Sequence, residues 1–214
     1  MLTFHQRPQN QRTLQSGDTL IEVLFAFAVL SLVIVGALSI MNQGAVSSQR
    51  SLETTLVREE IDSQATTLRF LHDAYVSKFQ SNVTYVVNTP AGQWVQMAAA
   101  LTATTSSTFG NITNCPAAPQ KSFILDPTNA TFISDTAKLV KATTYAQIQY
   151  DAVSGHLQQA QGIWIEAVRS KAETEPNKKN TRYIDFHINA CWDGPGQGIP
   201  MTIGTIVRLY EPQN

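Results

Sequence analysis

Positive charge is missing from a long stretch near the start of this chain. No Lys or Arg lies between Arg12 and Arg50, and from Leu20 to Met41 the only ionisable side chain is Glu22. Proline is absent from Leu20 to Phe79, so nothing there forces a helix to break. Acids are absent from Met1–Gly17, which carries Arg7 and Arg12. Over the whole chain the formal net charge is −1 and the pI about 6.4, which gives no support to wholesale nucleic-acid binding. Cysteine is limited to Cys115 and Cys191, and the four histidines, His5, His72, His156 and His187, are widely spaced. No catalytic or metal-binding constellation stands out, so the chain reads as a non-enzyme without a cofactor.

What fills the uncharged stretch is apolar. At about 1.5 Å per helical residue, Leu20–Met41 is about 33 Å long, enough to cross a hydrocarbon layer of about 30 Å. Phe25, Phe27, Leu32 and Val33 surround the helix on all sides, so it belongs in lipid or inside a helical bundle. The positive-inside bias leaves Met1–Gly17 in the cytoplasm and everything after Met41 outside. An ordinary secretory signal has its small-residue cleavage site beyond the apolar segment. Here the small residue, Gly17, comes before it, so cutting after Gly17 leaves the membrane helix on the mature protein. A conventional cut near Ala45, Val46 and Ser47 is the alternative. A carboxylate inside such a span is itself a functional hypothesis.

Gly17, Asp18 and the following Thr19-Leu20-Ile21-Glu22-Val23-Leu24 resemble the processing site of type IV prepilins and of the pseudopilins of type II secretion. The resemblance covers roughly residues 12–45. It implies cleavage after Gly17 by a prepilin peptidase, methylation of the new amine on Asp18, and assembly through Glu22, which pairs with the terminal amine of a neighbouring subunit. The physics agrees: a carboxylate alone in hydrocarbon is costly, an ammonium beside it compensates, and loss of one partner costs about 3–5 kcal/mol. Two departures, Asp18 in place of phenylalanine and a hydrophobic helix without proline, point to a minor pilin or pseudopilin rather than a bulk fibre subunit. The implied partners are the peptidase, other pilin subunits and an inner-membrane assembly platform. The implied location is a single-pass precursor that ends in a cell-surface pilus or pseudopilus.

The expected organisation is a leader over 1–17, a membrane or filament-core helix over 18–44, and an extracytoplasmic α+β domain over 45–214. Leu52, Leu56, Ile61, Ala65, Leu68, Leu71 or His72, Tyr75 and Phe79 recur at helical spacing between charged residues. They predict an amphipathic continuation of the membrane helix, laid against a sheet. Val83–Val87 and Phe123–Leu125 read as short strands, Ala98–Thr108 as loop, and the prolines around Cys115 as irregular structure. Tyr145–Tyr150, Ile163–Arg169, Arg182–Trp192 and Ile203–Tyr210 read as four antiparallel strands, with a turn around Ser154 and Gly155. In Arg182–Trp192, Ile184, Phe186, Ile188, Ala190 and Trp192 fall on the face toward the helix. Cys191 falls on the other, where it is placed to pin the Cys115 loop to the sheet's outer side. In an exported domain two cysteines read first as one disulfide, with two separately buried thiols as the alternative.

Other features have ordinary readings. His187 and Cys191 share a strand face but lie about 13 Å apart along it, too far to ligate one ion. Asp185 with His187 reads as cross-strand hydrogen bonding. Lys171, Lys178, Lys179 and Arg182 form a basic cluster, diluted by Glu173 and Glu175. It reads as a solvated hairpin tip, with DNA capture as the alternative. Asn82, Asn111 and Asn129 fit a glycosylation pattern that Asn- and Thr-rich chains match by chance. Two further functions stand beside the pilin reading: a single-pass anchored extracytoplasmic binding protein, and a DNA-uptake pseudopilin.

Overall fold

The structure, a computed structural model, describes residues 18–80, 83–103, 105–106, 109, 112–170, 182–196 and 198–212. The architecture is α+β, a long N-terminal helix with an antiparallel sheet region behind it. Among the described residues, helix α1 (Asp18–Ser77) is followed by α2 (Pro90–Leu101) and nine strands. These are β1 (Thr102–Ala103), β2 (Ile124–Asp126), β3 (Thr131–Ile133), β4 (Leu139–Val140), β5 (Gln147–Tyr150), β6 (Leu157–Gln161), β7 (Ile163–Arg169), β8 (Tyr183–Trp192) and β9 (Met201–Tyr210). The chain divides into two compact units, Met1–Ser47 and Ser48–Asn214.

In the first unit, α1 is long and apolar enough to cross a membrane, and no residue of its most apolar window is buried. In the second, the sheet has the order β1-β7-β8-β9, with β7, β8 and β9 antiparallel and β1 added in parallel to β7. Tyr145–Tyr150 contributes only its last part, and to a different sheet, of order β4-β6-β5. Its partner β6, Leu157-Gln-Gln-Ala-Gln161, has no β-branched residue, which is why the sequence pattern passed over it. The two sheets part at Gly162, whose φ is +66°. Its carbonyl accepts from Cys191 N and its N–H donates to Val140 O, and a Cβ there would sit 2.4 Å from Cys191 O. Glycine is required at this crossing.

α2 replaces the loop expected from Ala98. Thr89 caps it, its Oγ1 accepting from Gly92 N at 3.2 Å, and Pro90 occupies the first turn. Val83–Val87 is not a strand. Its carbonyls are spent on α2: Val86 O accepts from Thr89, and Val87 O accepts from Gln93 Nε2 at 2.9 Å. Gly92 packs so close to Val86 that a Cβ would lie 2.0 Å from its carbonyl oxygen. Trp94 and Met97 of α2 are fully buried against Phe186 and the outer part of α1.

The core lies between the sheet and α1. Ile184, Phe186, Ile188, Ala190 and Trp192 are all at 0 % exposure, as the alternation of β8 requires. The helix face that meets them includes Ile61, Ala65, Leu68 and Leu71 of the apolar reading and adds polar residues to it. Leu52 is exposed, and the buried seam runs through Glu53, Val57, Ile61, Gln64, Leu68 and Leu71. Two polar members are held by specific bonds. Gln64 donates to Leu125 O at 2.9 Å and accepts from Leu125 N at 2.8 Å, and Glu53 accepts from Trp192 Nε1 at 3.0 Å. Buried polar groups persist where such partners exist.

Candidate functional site

Gly17 lies outside the described residues. Asp18 is the first residue of α1, and Glu22 stands one turn further on, exposed. Around and beyond it the large apolar side chains face outward, Phe25 at 71 % and Leu32 at 75 % exposure. This arrangement joins one carboxylate to a helix that is apolar on every side. Among the described residues Glu22 has no hydrogen-bond or ion-pair partner, so the helix presents an apolar surface with a single carboxylate near its start.

The second notable feature is the outer face of the sheet. Cys115 and Cys191 are joined as a disulfide, with Cα atoms 5.6 Å apart and a sequence separation of 76. Both pack with Trp164, Phe109, Ile112 and Ala118 in a cluster separate from the main core. Phe109, Ile112, Cys115 and Ala118 are thereby held against Trp164 on that face. Glu166 is buried, accepting from Trp164 Nε1 and Asn189 Nδ2 at 3.0 Å each. In chain direction, the start of β8 and the end of β9 carry a different set. Arg208 forks onto Asp185 at 2.7 and 2.8 Å and lies 4.0 Å over the Tyr183 ring. The Arg208 hydrogen bonds hold the Asp185 carboxyl below the usual range. Asp185 therefore finds its cross-strand partner in Arg208, not in His187. That pairing follows from the β8–β9 register, which the sequence does not display.

A groove of about 890 Å³ runs along α1 on its other side, bounded by Glu59, Asp62, Phe70, Pro90 and Pro127. A smaller cleft holds Glu60 and Tyr150. Burial raises the Glu60 carboxyl above its ordinary value, and burial with the Glu60 and Asp126 carboxylates pushes Tyr150 to about 12. Among the described residues no group of three His, Cys, Asp or Glu side chains is placed to hold a metal ion. Cys191 is in any case committed to the disulfide. Of the basic cluster, Lys171, Lys178 and Lys179 lie outside the described residues, and Arg182 is exposed. Asn82 and Asn111 also lie outside. Asn129 donates to Asp126 at 3.1 Å and meets His156, so its amide is engaged in shaping the turn before β3.

No protein-family model, no curated protein and no solved structure matches this chain. The functional reading therefore rests on the residues themselves.

Proposed function

We propose that the chain is a prepilin-type structural subunit, a minor pilin or pseudopilin. In this reading a prepilin peptidase cleaves after Gly17, and the protein enters a filament through its apolar helix. The observation that carries it is Glu22, the one carboxylate of the apolar stretch Leu20–Met41, which follows closely on the Gly17-Asp18 junction. The exposed apolar surface of the first unit supports the reading, because such a surface is stable only in lipid or among other helices. Membrane anchoring comes first and exchange of lipid for neighbouring helices second. Glu22 then registers each subunit against the amine of the next. The disulfide supports an oxidising location for the second unit.

The test is the amino-terminal sequence and mass of the protein from membranes and from sheared surface material. An end at Asp18 in both fractions is expected. An intact Met1 end, or one near Ser47, would replace the filament subunit with an anchored or secreted binding protein. In cells, Glu22→Ala is expected to be processed normally and to be lost from the sheared fraction. Gly17→Leu is expected to remain as the precursor.

A further inference from the structure

β9 is an edge strand, and its hydrogen-bonding register identifies which of its backbone groups are free. Glu211 N donates to Arg182 O at 2.9 Å, so the pairing of residues 182 and 211 is a hydrogen-bonded one. Bonded and non-bonded pairs alternate along an antiparallel ladder. Tyr183↔Tyr210, Asp185↔Arg208, His187↔Ile206, Asn189↔Gly204 and Cys191↔Thr202 are therefore the non-bonded pairs. The bonds of Ser170 N to Tyr183 O and of Cys191 N to Gly162 O agree, since they turn these β8 residues toward β7. The N–H and C=O groups of Thr202, Gly204, Ile206 and Arg208 thus point away from the sheet. None is bonded to a described residue. The next outward carbonyl, Tyr210 O, meets His72 Nε2 at 2.8 Å, which closes the free edge at that end.

Sheets ordinarily guard such an edge by making it short, by proline, by a bulge, by unpaired charge or by a cover. Among the described residues the other edge strands are short, two residues each in β1 and β4, three each in β2 and β3, and four in β5. β9 has ten residues in unbroken register with β8, no proline and no bulge. Its one charge, Arg208, is already held by Asp185. Ile206 stands at 60 % exposure, and Thr202, Gly204 and Thr205 are exposed.

We propose that β9 is an acceptor edge that takes a fifth strand from a partner chain. The occupant's chemistry follows from what it would touch. The ladder admits only an extended backbone. From Thr202 to Val207 there is no ionisable side chain, so a charged neighbour would be desolvated without a partner. Ile203 and Thr205 on one face and Ile206 on the other call for β-branched or aromatic residues at alternate positions. Gly204 offers no side chain, and the Asn189 side chain already fills the space over it, its Oδ1 3.1 Å from where a Cβ would stand. The partner segment is extended, uncharged and alternating, with β-branched or aromatic residues at every second position.

The test uses the full chain in detergent and a labelled synthetic peptide, Thr-Val-Thr-Tyr-Thr-Val-Thr, blocked at both ends. Saturable binding is expected, with slowed amide exchange at Thr202, Gly204 and Ile206. Ile206→Pro keeps every β8–β9 bond, because the N–H it removes points outward, and should bind about tenfold more weakly or worse. Ile206→Lys should do the same by charge if the proline variant fails to fold. No binding at about 1 mM peptide, or equal binding by wild type and both variants, overturns the proposal. So does spontaneous disulfide dimerisation of Thr205→Cys without peptide, since Thr205 would face itself in a β9–β9 pair, making a second copy the occupant.

Discussion

One helix, α1, treats its apolar residues in two opposite ways. In the first unit Leu32 is 75 % exposed, while in the second Val57, Leu68 and Leu71 are at 0 %. Apolar content separates them, since Glu22 is the only ionisable side chain from Leu20 to Met41 while charged residues are frequent from Arg50 onward. Phase separates them further. In the second unit buried positions recur every three or four residues, and one sheet can cover a single stripe. In the first unit they occur on all sides, and no sheet of this chain can cover them. A stripe can be covered from one side within the chain, whereas an all-round apolar surface cannot.

The largest test of this contrast is the disulfide, which acts only in the second unit. In the chain-entropy model, opening a loop of this length costs about 4–5 kcal/mol. Cys115→Ser in the full chain should lower the urea midpoint of the second unit steeply and expose residues 103–122 to protease. Next comes a matched pair. Leu68→Ala should cost about 2–5 kcal/mol, and Leu32→Ala should leave the same transition within about 0.5 kcal/mol. Equal effects would break the comparison. Gln64→Ala should cost about 2–3 kcal/mol, because it strands both backbone groups of Leu125 in the core. The smallest effect is on acid stability. Arg208 lowers the folded-state titration of Asp185, so its contribution is present above the ordinary aspartate range and fades as pH falls through the lowered value. Asp185→Asn should flatten that acid limb, as read from unfolding midpoints between about pH 2 and 6.

What the sequence disclosed tracks how local each signal is. β8 was legible because its period of two is complete and each alternate residue enters the core. β9 was legible over Ile203–Tyr210, and the face occupied by Cys191 followed from the same alternation. β6 was not, since glutamines carry no strand signal and only pairing with β5 makes it one. α2 carried a readable start in Thr89-Pro90, followed by Ala91, Trp94, Met97, Ala98 and Leu101 at helical spacing, masked by its run of small residues. Glu53 and Gln64 escaped because their partners lie 139 and 61 residues away. Glu22 stood out as a lone carboxylate, whereas Arg208 on Asp185 depends on a register that no local pattern announces.

The bond between Cys115 and Cys191 also sets an order in time. A chain made from its amino terminus at about 5–20 residues per second presents Cys115 roughly 4–15 s before Cys191. Through that interval the first thiol has no native mate, and β2 through β7 must be made while the segment that will cover Trp164 is still untethered. Closure is therefore among the last events of maturation. A thiol-trapping pulse during synthesis should find Cys115 reactive until the residues of β8 have emerged.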